Sequence, residues 1–284
     1  MSARGFRDTL PKLRRREPIG AGLGRVVREC VVWAGKGDPV QIDAAVHKAR
    51  RALKRARAVL RLAEDLGVAG AKVAQRRLAR IGRELSPRRD AAVVAKMAGR
   101  VGEKLRDRAP AGVSPGATRA GAADRLWWTR WRKTLAAELR RLDRIDWGRP
   151  TAAAVQPALA LAAKRVRQWA RAARTSGDVA SVHEWRKAVI VLREQMLVVK
   201  ARLAPRAGAA ALASRLHDLA SRLGEVMDCH VFEIRMRGGE VGPARAGRAR
   251  LEKFARKRER RALRRARRAW PKLKRQLRRR MGGW

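Results

Sequence analysis

A short pattern occurs twice in this chain and limits the folds open to it. His47-x-x-Arg50 returns as His183-x-x-Arg186, and an arginine stands ten residues after each histidine, at Arg57 and Arg193. Further along, Leu85-x4-Asp90-x2-Val93 returns as Leu223-x4-Asp228-x2-Val231. The His-to-Asp separations are 43 and 45 residues. Order and spacing kept over such lengths point to two copies of one unit, covering about residues 20–148 and 149–282.

Each unit reads as helical. The chain is rich in Ala, Arg and Leu, which favour helix, and it has no alternating β-branched run. Breakers set the pieces. A first helix over 19–34 stops before Gly35, Gly37 and Pro39, and a long second one over 40–66 is closed by Gly67 and Gly70. Ser86-Pro87 suits an N-cap and first turn and separates a third helix from a fourth. Residues 109–121 read as a linker. Helices follow near 123–146, 151–174, 178–203, 208–223 and 228–237. After Gly238-Gly239 a long basic helix reaches residue 280, and Pro271 should kink or break it. The expectation is an all-α protein built from two packed helical bundles of about four helices each.

Charge narrows the function. Lys plus Arg is 71 against 25 for Asp plus Glu, a net charge of +46, while 46% of residues are hydrophobic. Such a chain can bury a core, so it is not a disordered basic tail. It repels itself when compact and attracts polyanions. Nucleic acid, inorganic polyphosphate and an anionic membrane surface are the candidates. No run of about 18 apolar residues is present, so no membrane span is expected. The first 17 residues lack the apolar region of a secretory signal. Two cysteines, Cys30 and Cys229, make no disulfide framework and fit a reduced cytoplasmic protein.

The basic residues are ordered around the second helix. At about 100° per residue, Val46, Ala49, Leu53, Ala56 and Leu60 form one apolar face. His47, Arg50, Lys54, Arg57 and Arg61 form a narrow cationic stripe directly beside it. Arg51 and Arg55 lie further round, as ordinary solvated charge. In the second copy Arg186 and Arg193 share the face of His183, with Lys187 near it, and Ile190 and Leu197 take the places of Lys54 and Arg61. Its apolar face is Val182, Trp185, Val189, Leu192 and Met196. If two such helices face each other, their stripes line a shared cationic groove. The planar arginine fork suits paired phosphate oxygens.

The segment from His47 to Arg57, His183-Glu-Trp-Arg186-Lys187, Arg89-Asp90 and Leu223-Gly224-x3-Asp228 together resemble the CHAD domain, the conserved histidine α-helical domain. The resemblance spans about residues 20–280. It implies two four-helix bundles related by pseudo-twofold symmetry, with a basic central cavity or groove. It also implies binding of inorganic polyphosphate and, in some members, location on polyphosphate granules. Carried over position by position, it gives the ligand set His47, Arg50, Lys54, Arg57, His183, Arg186, Lys187 and Arg193, with Arg89 beside them. Arg61 extends the first stripe by one turn. Ile190 stands where the family has Lys, Glu194 where an aromatic often follows the Arg, and Ala220 where Gln is usual. No acidic strands of a fused triphosphatase are present, so no hydrolase and no cofactor are implied.

Other constellations carry less. His47 and His183 have cationic neighbours, which repel a metal ion, and Cys229-His230 has no partner motif. His217 reads as structural. Asp90 and Asp228 are expected to pair an arginine and fix its rotamer. Trp127, Trp128, Trp131, Trp169 and Trp185 are expected in the core rather than as base-stacking platforms. Gly20-x-Gly22-x-Gly24 follows no strand and is no nucleotide fingerprint. Residues 244–280 hold 19 basic and 2 acidic residues. That helix and the net charge leave open a rival function, nonspecific binding of DNA or RNA. A structural scaffold on storage granules is a third reading.

Overall fold

A computed structural model of the protein describes residues 10–105, 121–201, 209–238 and 245–281. Among the described residues there are α-helices, one 3-10 helix (Pro39–Gln41) and no strand, so the chain is all-α. In chain order the helices are α1 (Ile19–Gly35), α2 (Ile42–Asp65), α3 (Ala71–Arg83), α4 (Ser86–Leu105) and α5 (Ala122–Leu142), then α6 (Ala152–Thr175), α7 (Val179–Val199), α8 (Ala209–Arg237) and α9 (Arg245–Met281).

Local chemistry sets the boundaries. The Asp38 carboxylate accepts from the Val40 amide and starts the 3-10 turn that leads into α2. Asp178 caps α7 by accepting from the Ser181 amide at 2.6 Å, and Thr151 caps α6. Gly67 and Gly70 between α2 and α3 both adopt positive φ, which favours glycine there.

Both expected apolar faces are buried. Val46, Ala49, Leu53, Ala56 and Leu60 of α2 lie in one core with Val182, Trp185, Val189, Leu192 and Met196 of α7. That core also takes Leu23 of α1, Trp128 and Trp131 of α5, Leu159 of α6 and Trp270 and Leu277 of α9. Each fully buried large side chain of this kind contributes about 1.5–3 kcal/mol. A smaller core of Val94, Met97, Cys229, Phe232, Met236 and Leu251 lies where α4, α8 and α9 meet. Gly24 sits under Trp147, where an added Cβ would stand 2.7 Å from the ring, so this glycine serves packing.

Several expectations change. The two helices expected at 208–223 and 228–237 are one, α8, because no strong breaker separates Leu223 from Asp228 and Gly224 is accommodated within the helix. The basic helix α9 runs through Pro271, which is exposed on its solvent side. Trp169 is 38% exposed instead of buried, whereas Trp128, Trp131 and Trp185 are in the core as expected. Arg55 is among the most buried side chains, not solvated, because α7 covers the side of α2 from which it projects. The expected linker at 109–121 lies outside the described residues except for Gly121.

Candidate functional site

The cationic stripe of α2 opens onto a cavity of about 490 Å³. Arg50, Lys54, Arg57 and Arg61 supply its α2 wall, Gln75, Ala79, Gly82 and Arg83 its α3 wall, and Ser86 the entry to α4. Across from them stand Ala162, Arg165 and Trp169 of α6 and His183, Glu184, Arg186, Lys187, Ala188, Ile190 and Val191 of α7. The walls therefore come from both halves of the chain. Eight of these residues are Arg or Lys and one, Glu184, is acidic.

Three of the eight cations are already paired. Arg165 is held by Asp65 through two bonds of 2.6 and 2.7 Å, Arg61 lies 3.2 Å from Glu64, and Lys187 lies 2.6 Å from Glu184. Arg50, Lys54, Arg57, Arg83 and Arg186 have no carboxylate partner within salt-bridge distance among the described residues. Arg50 donates to the Ser86 hydroxyl at 3.2 Å. Arg57 Nε, Arg186 Nε and His183 Nδ1 are buried and have no hydrogen-bond partner among the described residues. Orphaned buried polar atoms of this kind are uncommon in native proteins.

The electrostatics agree. Burial first, then Arg186 and Arg50 nearby, push the Lys54 ammonium down from 10.5 to about 7. Burial and Arg89 lower Arg50 and Arg186, and burial and Arg83 lower Arg57. His183 is lowered by burial and by Lys187. Arginine stays charged at these shifts. The cavity thus concentrates positive charge in a partly dry setting that an anion would neutralise.

The structure brings seven of the expected ligand residues to this cavity: Arg50, Lys54, Arg57, Arg61, His183, Arg186 and Lys187. Three others lie elsewhere. His47 is exposed at the N-terminal side of the stripe and does not line the cavity. Arg193 lines a smaller cavity of about 230 Å³ with His217 and Lys200, and its guanidinium binds Glu194. Arg89 pairs with Asp90 and also with Asp228, so one arginine joins the two acids of the Leu-x4-Asp-x2-Val pattern. The expectation that these acids pair an arginine holds, and the arginine is the same for both.

Sequence reasoning missed Arg83, Arg165, Gln75 and Trp169 in the cavity wall. Arg83 had a signal: α3 and α2 form a hairpin, so the last turn of α3 returns to the level of Arg50. It also missed Gly224. An added Cβ there would stand 3.2 Å from Arg186 Nε, so this glycine makes the room in which the guanidinium lies. For metals, no three His, Cys, Asp or Glu side chains come together among the described residues. Cys30 and Cys229 are buried free thiols, both pushed up to about 12 by burial. No described helix is long and apolar enough to cross a membrane.

The all-α scaffold gathers arginines and a lysine without carboxylate partners among the described residues around one cavity. The family model described as CHAD domain matches residues 26–237, and the chain belongs to that family. Helix α9 lies beyond the matched span. Neither the comparison with curated proteins nor that with solved structures finds a match.

Proposed function

We propose that this protein binds inorganic polyphosphate, without turning it over, in the cationic cavity between α2–α3 and α6–α7. The observation that carries the reading is the set Arg50, Lys54, Arg57, Arg83 and Arg186: cations that share one cavity and lack carboxylate partners among the described residues. A polyphosphate is a flexible chain of closely spaced anionic oxygens. It can meet bidentate arginines and the Lys54 point charge in succession. The two repeats, about 20–148 and 149–282, would be the two pseudo-twofold-related bundles whose facing helices build this groove. Membership of the CHAD domain family supports the same ligand. A cytoplasmic place on polyphosphate granules follows if that ligand is the physiological one.

DNA and RNA are the rival partners, through net charge and the exposed basic face of α9. The test is a calorimetric competition with the full chain at near-physiological salt, long-chain polyphosphate against duplex DNA and single-stranded RNA. Polyphosphate is expected to bind tighter by orders of magnitude, with affinity falling steeply as salt rises. Equal affinity for all three would overturn the cavity reading and favour a general polyanion surface.

A further inference from the structure

Helix α9 carries a second concentration of positive charge, and none of its residues lines either cavity described above. Residues 260–280 hold twelve Arg or Lys and no acid. The ion pairs of the helix, Arg256 with Glu252 and Arg258 with Glu225, lie before them. At about 100° per residue, Lys257, Arg261, Arg264, Arg268, Arg275 and Arg279 fall within about 60° of one another. All six are exposed, and none makes an ion pair or hydrogen bond among the described residues. The opposite face is apolar, with Ala262, Ala266, Trp270, Leu273 and Leu277 buried in the main core.

The fold holds this row in place. Arg222 donates to the Arg265 carbonyl at 3.2 Å, Arg267 to the Ala173 carbonyl at 3.2 Å, and Gln156 to the Arg280 carbonyl at 2.9 Å. Trp185 meets Trp270 edge-on, with ring centres 5.8 Å apart. From Lys257 to Arg279 the row runs roughly 33 Å at 1.5 Å per residue, about one turn of a nucleic-acid duplex. Like charges three or four residues apart weaken a helix. Elsewhere on the surface acids offset the cations, as in Arg25 with Glu29 and Arg88 with Asp124. The α9 row has no such acid, and an external polyanion would supply the missing charge.

The chemistry of the row selects among polyanions. A helix that lies in a membrane surface inserts apolar side chains, and those of α9 are turned inward. Single strands are held by bases stacked on aromatic rings, and the aromatic residue within 257–279, Trp270, is 4% exposed. A duplex presents a stiff wall of phosphates, one charge per about 1.7 Å of axis, which a fixed row of cations can follow along its length. We infer that the exposed row of α9 is a surface for duplex nucleic acid, separate from the cavity and able to act while the cavity is filled. Contacts to phosphate carry no sequence information, so the binding is nonspecific. Binding of this kind is about micromolar or weaker at physiological salt, below the affinity expected of the cavity for polyphosphate. The inference does not depend on what the cavity holds.

The test follows binding of a mixed-sequence DNA duplex of about two turns to the full chain, by fluorescence anisotropy over a range of salt. Six neutralised phosphates give a log–log salt slope of about −5. Replacing four of the row, Arg261→Gln, Arg264→Gln, Arg268→Gln and Arg275→Gln, should weaken binding at least tenfold and reduce the slope by about four, with helicity retained. Removing four exposed charges from α5 instead, Arg130→Gln, Arg132→Gln, Lys133→Gln and Arg140→Gln, should leave affinity within about threefold. Equal losses in the two variants would mean that net charge alone holds the duplex, and would overturn the inference. Equal or tighter binding of a single strand of the same length, or of anionic phospholipid vesicles, would also overturn it. Saturating inorganic tetrapolyphosphate should leave the duplex bound. Displacement of the duplex would put both ligands in one site and overturn the inference. Failure of tetrapolyphosphate to bind, with the duplex still held by α9, would overturn the polyphosphate reading and leave this one standing.

Discussion

The Arg55 guanidinium of α2 donates to the Glu194 carboxylate of α7 at 2.7 Å, with both side chains buried, so α2 and α7 are joined through an ion pair inside the core. Gln195 adds a second tie, donating to the Ala58 carbonyl at 3.1 Å. Breaking a buried pair by removing one partner strands the other charge and costs about 3–5 kcal/mol. Glu194→Ala is expected to lower stability by that amount in denaturant titrations. An Arg55→Met, Glu194→Leu double variant should recover most of it. If Glu194→Ala is neutral, the pair does not hold the halves together.

On the proposed reading, charge at the centre of the cavity sets polyphosphate affinity. Arg50 and Arg186 each end a His-x-x-Arg pattern and line the same space. The double variant Arg50→Glu with Arg186→Glu is expected to lower polyphosphate affinity more than a hundredfold, read by calorimetry. Lys200→Glu, outside this cavity, should do far less. Retained affinity in the double variant would place the ligand elsewhere.

Lys54 is expected to make polyphosphate binding pH-dependent. Its folded-state value of about 7 lies below the 10.5 of an unhindered lysine. Below pH 7 the ammonium is charged in both states. Between about 7 and 10.5 the unfolded chain holds the proton that the folded apo protein has lost, so this group makes apo stability rise with pH across that window. Polyanion affinity runs the other way. It should fall as pH rises from 6 to 9, with proton uptake on binding seen as a dependence of the heat on the buffer. Lys54→Met should flatten the profile at a lower affinity. His183, lowered by burial and Lys187, gains its charge only at more acidic pH.

Asp90 and Asp228 hold Arg89 and offset charge next to Arg50 and Arg186. Neutralising both, Asp90→Asn with Asp228→Asn, should tighten polyphosphate binding at least threefold and cost up to about 1 kcal/mol, because these side chains are partly solvated. Weaker binding would mean that the acids are needed to keep Arg89 in place.

What could be read from the sequence follows from what a helix alone determines. The apolar face and the cationic stripe of α2 are periodic properties of one helix, and both are found where the wheel puts them. The wheel fixes a direction but not how far a cavity extends, so His47 and Arg193 point along the stripes without lining it. Arg55 and Trp169 were misplaced for a related reason. Their surroundings are made by α7 and by the opening between α2 and α6, and no local pattern in α2 or α6 encodes them. The Glu194 departure from the family pattern is explained by Arg55, its partner 139 residues away.

Gly224 interrupts a 29-residue helix with the residue least suited to helix interiors after proline. Alanine there would favour α8 locally by about 1 kcal/mol. Yet its methyl group would press on Arg186 at 3.2 Å. The chain keeps a weak turn in α8 where a sturdier one would push the Arg186 guanidinium aside by a few tenths of an ångström. Screens that select only for thermal tolerance should therefore enrich Gly224→Ala and, in the same step, erode anion capture.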